Sequence, residues 1–569
     1  MQYRVSCPEP ASQFLELELQ IEQVKEEVLH LQLSAWRPGK YFLQDFAKNI
    51  FYMKAEDADG KPLLLKKVSK DRWQLEAQAC GTVRVRYNYL AVQMDAGGSW
   101  ADDAQVYINW VNCGLLVEER EEESIGVSLD LPSDYQTATS LSEEGGKLVA
   151  PNFDALVDSP MISSPSLMHE QYRVGGCTFH VWVQGRAHID WKRLLHDFER
   201  FSKVQIDAFG GFPCKDYHFL IQALPYRHYH GVEHQHSTVL TLGPSEQLMD
   251  ELYDDLLGVS SHELYHTWNV TRLRPKELLP YRWDTYTYFE TGFVAEGITT
   301  YYGDVMLSRA GVWDKHRYLK ELALFFQRHF DNPARAHAAL SDSSYDLWLD
   351  GYSPRQPKRK ASIYVKGALV AFLLDVKLRQ ESKGEHSLDT FMKRLWELYA
   401  ISGYSIQDYE ANIAHFLGED YAADYMNRFV HGTEDLWPLL EEALDWLGIE
   451  ARRKSSLSFK STYGIKVIHR DGVSKVMQIS EGSPASKKLS IGDEIVAVNH
   501  RKVGKEADEL LRIGPDRSVA LAVFRHRELL LMEVEADGQT YYPEIELKAK
   551  EQMAEREKER LQAWIGSRL

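Results

Sequence analysis

His262-Glu263-Leu264-Tyr265-His266 constrains the fold more than any other stretch of this chain, because two imidazoles four positions apart converge only if the segment is helical. At roughly 100° per residue they lie one turn apart on a single face and reach one ion together. Glu263 stands beside them, where its carboxylate can take a proton from a metal-bound water without serving as a ligand. Leu257, Leu264 and Trp268 project to the opposite side as an apolar stripe, so the histidines are not needed as core filler. The rival reading is an accidental match in a chain with 21 histidines.

A catalytic zinc takes three protein ligands and keeps a fourth position open, so a third ligand is expected downstream. Glu296 is the candidate, 30 positions (296 − 266) past His266 in the helical-looking run Phe293-Val294-Ala295-Glu296-Gly297-Ile298-Thr299-Thr300-Tyr301-Tyr302. Apolar neighbours Phe293, Val294, Ile298 and Tyr301 bury that run, and a buried carboxylate costs several kcal/mol unless it is paired or on a metal. A salt-bridged core glutamate is the alternative. Asn269-Val270-Thr271 fits the N-glycosylation pattern, but its place directly after the histidine helix argues against a glycan.

HELYHTWNVTRLRP at 262–275 followed by AEGITTYY at 295–302 resembles the glycyl aminopeptidase family of gluzincin metallopeptidases, whose members also carry a C-terminal PDZ module. The likeness extends over nearly the whole chain: Trp36-Arg37-Pro38-Gly39-Lys40-Tyr41 is similar to the family's first domain, and Ile363-Tyr364-Val365-Lys366-Gly367-Ala368-Leu369 to its tyrosine motif. Tyr364 also has a physical rationale, since peptide hydrolysis needs a hydrogen-bond donor for the developing oxyanion and a phenol supplies one. Upstream, His230-Gly231-Val232-Glu233-His234 resembles the family's Gly-Gly-x-Glu-His segment, with His230 where the first glycine would be. The resemblance assigns Glu233 to the substrate's α-ammonium, which restricts cleavage to the first residue, and places Gly231 beside it. His228, His230, His234 and His236 share strand parity and offer a rival, second metal cluster, although solvent-facing histidines on an edge strand are common.

At 569 residues with 44% hydrophobic content, the chain is long enough for three or four domains. Leu15, Leu17, Leu19 and Ile21 alternate with polar residues, as do Val83, Val85, Tyr87 and Tyr89, a period of two that implies half-buried antiparallel strands. The expected architecture is multidomain α+β. A β-sandwich covers 1–175, and a mostly helical, thermolysin-like catalytic domain covers 176–455. Residues 456–540 resemble a PDZ domain, on Glu481-Gly482-Ser483-Pro484-Ala485 and Gly492-Asp493-Glu494-Ile495, and a charged helical tail fills 541–569. Tyr463-Gly464-Ile465 is similar to the PDZ carboxylate-binding loop, where a peptide C-terminus docks on successive N–H groups.

A net charge of −18 excludes nucleic-acid binding through the whole surface, and no stretch approaches the ~20 apolar residues of a membrane span. Five scattered cysteines and a start without an apolar h-region fit a reducing, cytoplasmic setting. The resulting expectation is an aminopeptidase with one Zn²⁺ per chain on His262, His266 and Glu296, Glu263 as general base and Tyr364 as oxyanion donor. Its substrates are peptides with a free N-terminus, small first residues (Gly or Ala) being what the resemblance implies. Two alternatives stand beside it: a zinc endopeptidase or dipeptidase on the same site, and a PDZ peptide-binding protein with a vestigial peptidase domain.

Overall fold

The computed structural model describes residues 1–351, 356–504, 506–513 and 517–566. The period-two patterning of the N-terminal part becomes long antiparallel strands. Phe14–Val24 runs against Gly81–Leu90 with Leu17 opposite Tyr87, Leu19 opposite Val85 and Ile21 opposite Val83, at the centre of an eight-stranded sheet. Because alternate side chains share one face, these residues all enter a single core, to which Val28–Leu33 and Arg72–Glu76 of a second sheet add Leu29, Leu31, Trp73 and Leu75.

The expected border at 175/176 cuts through a hairpin. Strands β1 (Met168–Val174) and β2 (Cys177–Gln184) pair across Gly175-Gly176, both at positive φ (59° and 79°). The glycine pair reads in sequence as a break, yet it is the tight turn that keeps β1 in the second domain's sheet. That sheet continues with helix α1 (Trp191–Phe209), β3 (Asp216–Ala223), β4 (His228–Glu233) and β5 (Ser237–Gly243). Its strand order is β1-β2-β3-β5-β4, leaving β4 at an edge.

A helical body follows. It includes α2 (Tyr253–Tyr265), a six-residue π-helix (Phe293–Ile298), α3 (Thr299–Arg309), α4 (Lys315–Phe330) and α5 (Val365–Glu381), all joined to the sheet through one apolar core.

The chain then leaves this body and comes back. β6 (Ile449–Lys454) pairs antiparallel with β8 (Glu544–Ala549), and between them lies a six-stranded sheet, begun by β7 (Ile465–Arg470), with its own core of Phe459, Ile465, Val476, Ile495, Val519 and Val523. The region after 540 is more than a helical tail: it starts with a paired strand and ends in helix α6 (Glu555–Ile565), docked on the core of the helical body. Trp564 is fully buried. Its indole N–H donates to Tyr301 Oη at 2.7 Å, and its carbonyl accepts from Arg309 Nε at 2.8 Å. Residues 567–569 lie outside the described residues. Trp564 and Ile565 stand out in the charged sequence as apolar side chains able to dock; Leu561 joins them on the buried face, and the surface they meet is not legible locally.

Candidate metal centre and active site

His262 and His266 project from the last turn of α2 with their Nε2 atoms 3.1 Å apart. Glu296 Oε2 lies 3.8 Å from the first and 3.4 Å from the second, so the three form a group able to hold one ion. The helix places them because its other side is apolar: Leu257 and Leu264 are buried in the core, as is Trp268 just beyond it. Ser261 Oγ donates to Gly303 O at 2.7 Å, which binds α2 tightly to α3.

Glu296 is carried by the π-helix, whose wider turn shifts a side chain relative to an α-helical run. Asn269 holds it there. Its fully buried amide donates to Val294 O (2.9 Å), Ala295 O (3.1 Å) and Thr299 Oγ1 (3.0 Å). The backbone carbonyl of Asn269 accepts from His266 Nδ1 at 2.8 Å; as a carbonyl only accepts, Nδ1 carries a proton, and Nε2 is the ring nitrogen turned to Glu296 and to a cation. Asn269 is thus a site residue that sequence reading missed, and the apparent glycosylation pattern is a buried bracket.

Around this trio the charges are surplus negative. Glu263 is 5% and Glu233 6% exposed, and Glu263 Oε2 and Glu233 Oε1 have no hydrogen-bond partner. Burial raises both carboxyls, Glu263 well above the carboxylate range, and each is raised further by its acidic neighbours. For His266, burial works downward, but Glu296, Glu233 and Glu263 together push it up to about 10. Two imidazoles and a carboxylate, with two more carboxylates close by, are a donor set suited to a divalent cation.

Edge strand β4 supplies Glu233 at its end and Gly231 next to Glu263. A Cβ on Gly231 would collide with Glu263 Oε1, so glycine is what allows the strand to approach the helix. His230 occupies regular antiparallel register opposite Thr241, with its ring toward Arg37 Nη2 at 3.5 Å. The residue standing in for a glycine therefore causes no backbone strain. Residues of the N-terminal strand-rich part reach this corner too. Gly39, at φ 73°, lies so close to Glu233 that a Cβ there would be 2.6 Å from Oε2. Asp158 accepts from Gln235 N (2.9 Å) and lies 3.0 Å from His234 Nδ1, fastening the turn that follows Glu233. Gly39 and Asp158 were not found from sequence, where nothing local links them to β4.

Tyr364 immediately precedes α5 and is partly buried, lining the same cleft of about 1380 Å³ as His262, Glu263, Glu296 and Glu233. A glycine crossing brings α5 there: a Cβ on Gly297 would lie 2.6 Å from Gly367 Cα, and one on Gly367 2.9 Å from Gly297 Cα. The four histidines of the β4 region do not come together as a metal group among the described residues. Tyr463-Gly464-Ile465 differs from the expected open loop. Phe459–Tyr463 is a short helix, Gly464 caps it at φ 71° with its N–H donated to Phe459 O, and Tyr463 and Ile465 are buried core. That helix takes up one of the N–H groups expected to cradle a carboxylate.

Two family models match the chain, the peptidase M61 N-terminal domain over residues 2–165 and M61 glycyl aminopeptidase over residues 255–370. Among solved structures, an aminopeptidase N family protein from Idiomarina loihiensis is similar at 27% identity, with a TM-score of 0.90 and 99% of each chain covered. An M1 zinc metallopeptidase from Deinococcus radiodurans, bound to a Tyr-Ser-Ala substrate, matches at 16% identity and a TM-score of 0.49, over 77% of this chain and 95% of its own. No curated protein sequence matches the chain. No helix among the described residues is long and apolar enough to cross a membrane.

Proposed function

We propose, from the premise that this chain is a metallo-aminopeptidase built on the two domains of peptidase family M61, that it removes small N-terminal residues from peptides at one zinc ion held by His262, His266 and Glu296. The observation that carries this reading is the convergence of three ligand atoms within 4.8 Å of one another, with Glu263 and Glu233 buried in the same cleft. Bound there, zinc supplies an acidified water and polarises the scissile carbonyl.

That is the chemistry zinc would supply if bound by His262, His266 and Glu296; the rest falls to the chain's own groups. Glu263, whose Oε2 lacks any partner, accepts a proton and returns it to the leaving amine. Tyr364 donates to the oxyanion. Glu233, only 6% exposed, pairs with the substrate's ammonium, a charge-assisted bond that low exposure strengthens. The family description, glycyl aminopeptidase, supports glycine as the first residue, and alanine is proposed with it as the next smallest side chain. Residues 456–540 are proposed as a PDZ module whose groove takes a peptide, on the support of their separate core and the free edge of β7. Free thiols at all five cysteines support a cytoplasmic setting.

The test is Glu263→Gln, which is expected to keep bound zinc and to lose turnover by about 10³-fold or more. Near-normal activity in that variant would remove the base from this scheme. Acetylating the substrate's amino end separates the aminopeptidase from an endopeptidase: cleavage that survives the block excludes the role given to Glu233.

A further inference from the structure

Arg328 borders two cavities. On one side it lines the cleft of His262, His266 and Glu296, and on the other it lines a groove of about 930 Å³ that runs along β7. Helix α4 forms the shared wall. Arg317, Glu321, Phe325 and Arg328 are spaced four, four and three residues apart, so they fall on one face, and that face lines the cleft for about 16 Å. At the end of this rail the wall passes to Gln327 and Asp331, which line the groove.

The opposite wall of the groove is an open strand edge. β7 pairs only with Val473–Ile479, so among the described residues the backbone row on its other side has no strand partner. Ile468, on that strand, is 52% exposed, and Met477, next to it in the groove, is 48% exposed. An edge of this kind is normally covered, bulged or charged, because it is a template for another strand.

The orientation of the inserted module is fixed by contacts to the end of α4. Lys460 and Lys466 both reach Asp331 Oδ2, at 3.1 and 3.0 Å, and Gln478 Nε2 donates to Asp331 O at 2.8 Å. Gln327 clamps the return of the chain, donating to Pro543 O at 3.0 Å and accepting from Ile545 N at 3.0 Å. The module is thereby held with its open edge beside the mouth of the cleft at Arg328, not turned away from it.

We propose that cleft and groove are one peptide track: a substrate anchored at Glu233 by its amino end runs past Arg328, and its downstream residues add to β7 as an extra strand. The proposal rests on the aminopeptidase reading and adds a substrate class to it, extended peptides long enough to reach β7. Main-chain pairing gives affinity with little dependence on sequence, so such a track selects for length and lack of structure, not for particular side chains. A separate protein that occupies the groove in trans is the competing occupant, and the test distinguishes it.

The experiment uses the full chain loaded with zinc and a ladder of alanine-initiated peptides of common sequence, from alanine amide to about fifteen residues, each extended residue spanning about 3.3 Å. The expected result is a rise in kcat/KM of about tenfold over a narrow range of lengths, carried by KM, and abolished when alternate downstream amides are N-methylated. In the Glu263→Gln variant, a long peptide with a photoreactive downstream residue is expected to cross-link to residues 465–469. A flat ladder overturns the proposal, as does a rise that survives N-methylation with cross-links confined to the cleft. Cross-linking to β7 by a peptide that leaves the length dependence flat identifies an occupant in trans and also overturns it. If not even alanine amide or short peptides are cleaved, the failure belongs to the aminopeptidase reading instead.

Discussion

Two glycine-to-alanine substitutions should take the proposed base and the proposed amine anchor apart. In Gly231→Ala the new methyl meets Glu263, whose Oε1 would stand 2.2 Å away; ordinary contact begins near 3.4 Å, so the carboxyl must retreat by about 1.2 Å (3.4 − 2.2). Misplacing a reacting group by about 1 Å costs on the order of a hundredfold, and the loss is expected in kcat with KM little changed. In Gly39→Ala the methyl would be 2.6 Å from Glu233 Oε2, a displacement of about 0.8 Å (3.4 − 2.6), with about 1 kcal/mol of strain added by the positive φ. Weakening one partner of a buried charge pair by about 2 kcal/mol is about thirtyfold, expected in KM for substrates with a free amino end and not in kcat. The assay is steady-state hydrolysis of alanine amide and of short peptides, with zinc content and melting temperature measured on each variant. If the two variants exchange their signatures, or both lose zinc, the assignment of Glu263 and Glu233 to separate roles is wrong.

Asn269→Ala removes three donations to the Glu296 segment and is expected to weaken zinc binding about 10- to 100-fold, read by competition with a chromophoric chelator; unchanged affinity would show the π-helix needs no bracket. Trp564→Ala should lower the unfolding free energy by about 3–5 kcal/mol in urea, because it opens a core cavity and leaves Tyr301 without a donor; a loss below about 1 kcal/mol would mean α6 is only loosely attached. Lys366, 1% exposed, is pulled down from 10.5 to about 8 by burial. Below about pH 8 it is protonated in both states and the folded state bears the cost; between about 8 and 10.5 the unfolded chain holds more protons, so stability rises with pH, by about 3 kcal/mol in all. Lys366→Met should flatten that rise relative to the parent chain, and an identical pH profile in the two would contradict it.

The parts of this protein legible in its sequence are those encoded locally. Two histidines at i and i+4, a carboxylate in an apolar helical run, and alternation in Leu15 to Ile21 each need only a few neighbouring residues to be interpreted, and the fold brings all of them where that local logic requires. What stayed hidden is encoded across the chain. Asp158 meets His234 from 76 positions away, and Trp564 meets Tyr301 across 263. The change of pattern near 457 announces a separate module, yet nothing nearby announces that the chain re-enters the catalytic body at β8, because the pairing of Ile449–Lys454 with Glu544–Ala549 is a relation between two six-residue strands 90 positions (544 − 454) apart, each with only two or three apolar side chains. Asn269 is an intermediate case: its place after the histidine helix argues against a glycan, and the side chain is indeed without exposure, but the local pattern does not show that it brackets the Glu296 segment.

Between these extremes lies a signal that was present and undervalued. Gly297 and Gly367 sit inside otherwise apolar helical runs, where glycine costs about 1 kcal/mol relative to alanine and has no turn to make. The fold supplies the reason, since each faces the other at a crossing that a single Cβ would prevent. Gly231 fits the same logic on a strand, facing Glu263. A glycine that breaks a regular pattern without ending the element marks a place where something must come unusually close. Three such glycines lie within the segments that carry Glu296, Tyr364 and Glu233, so close approach of backbone at those segments is a condition for the carboxylates and the phenol to share one cleft. The same condition explains why the site tolerates a histidine at 230, where the register is regular, but not a Cβ one residue later.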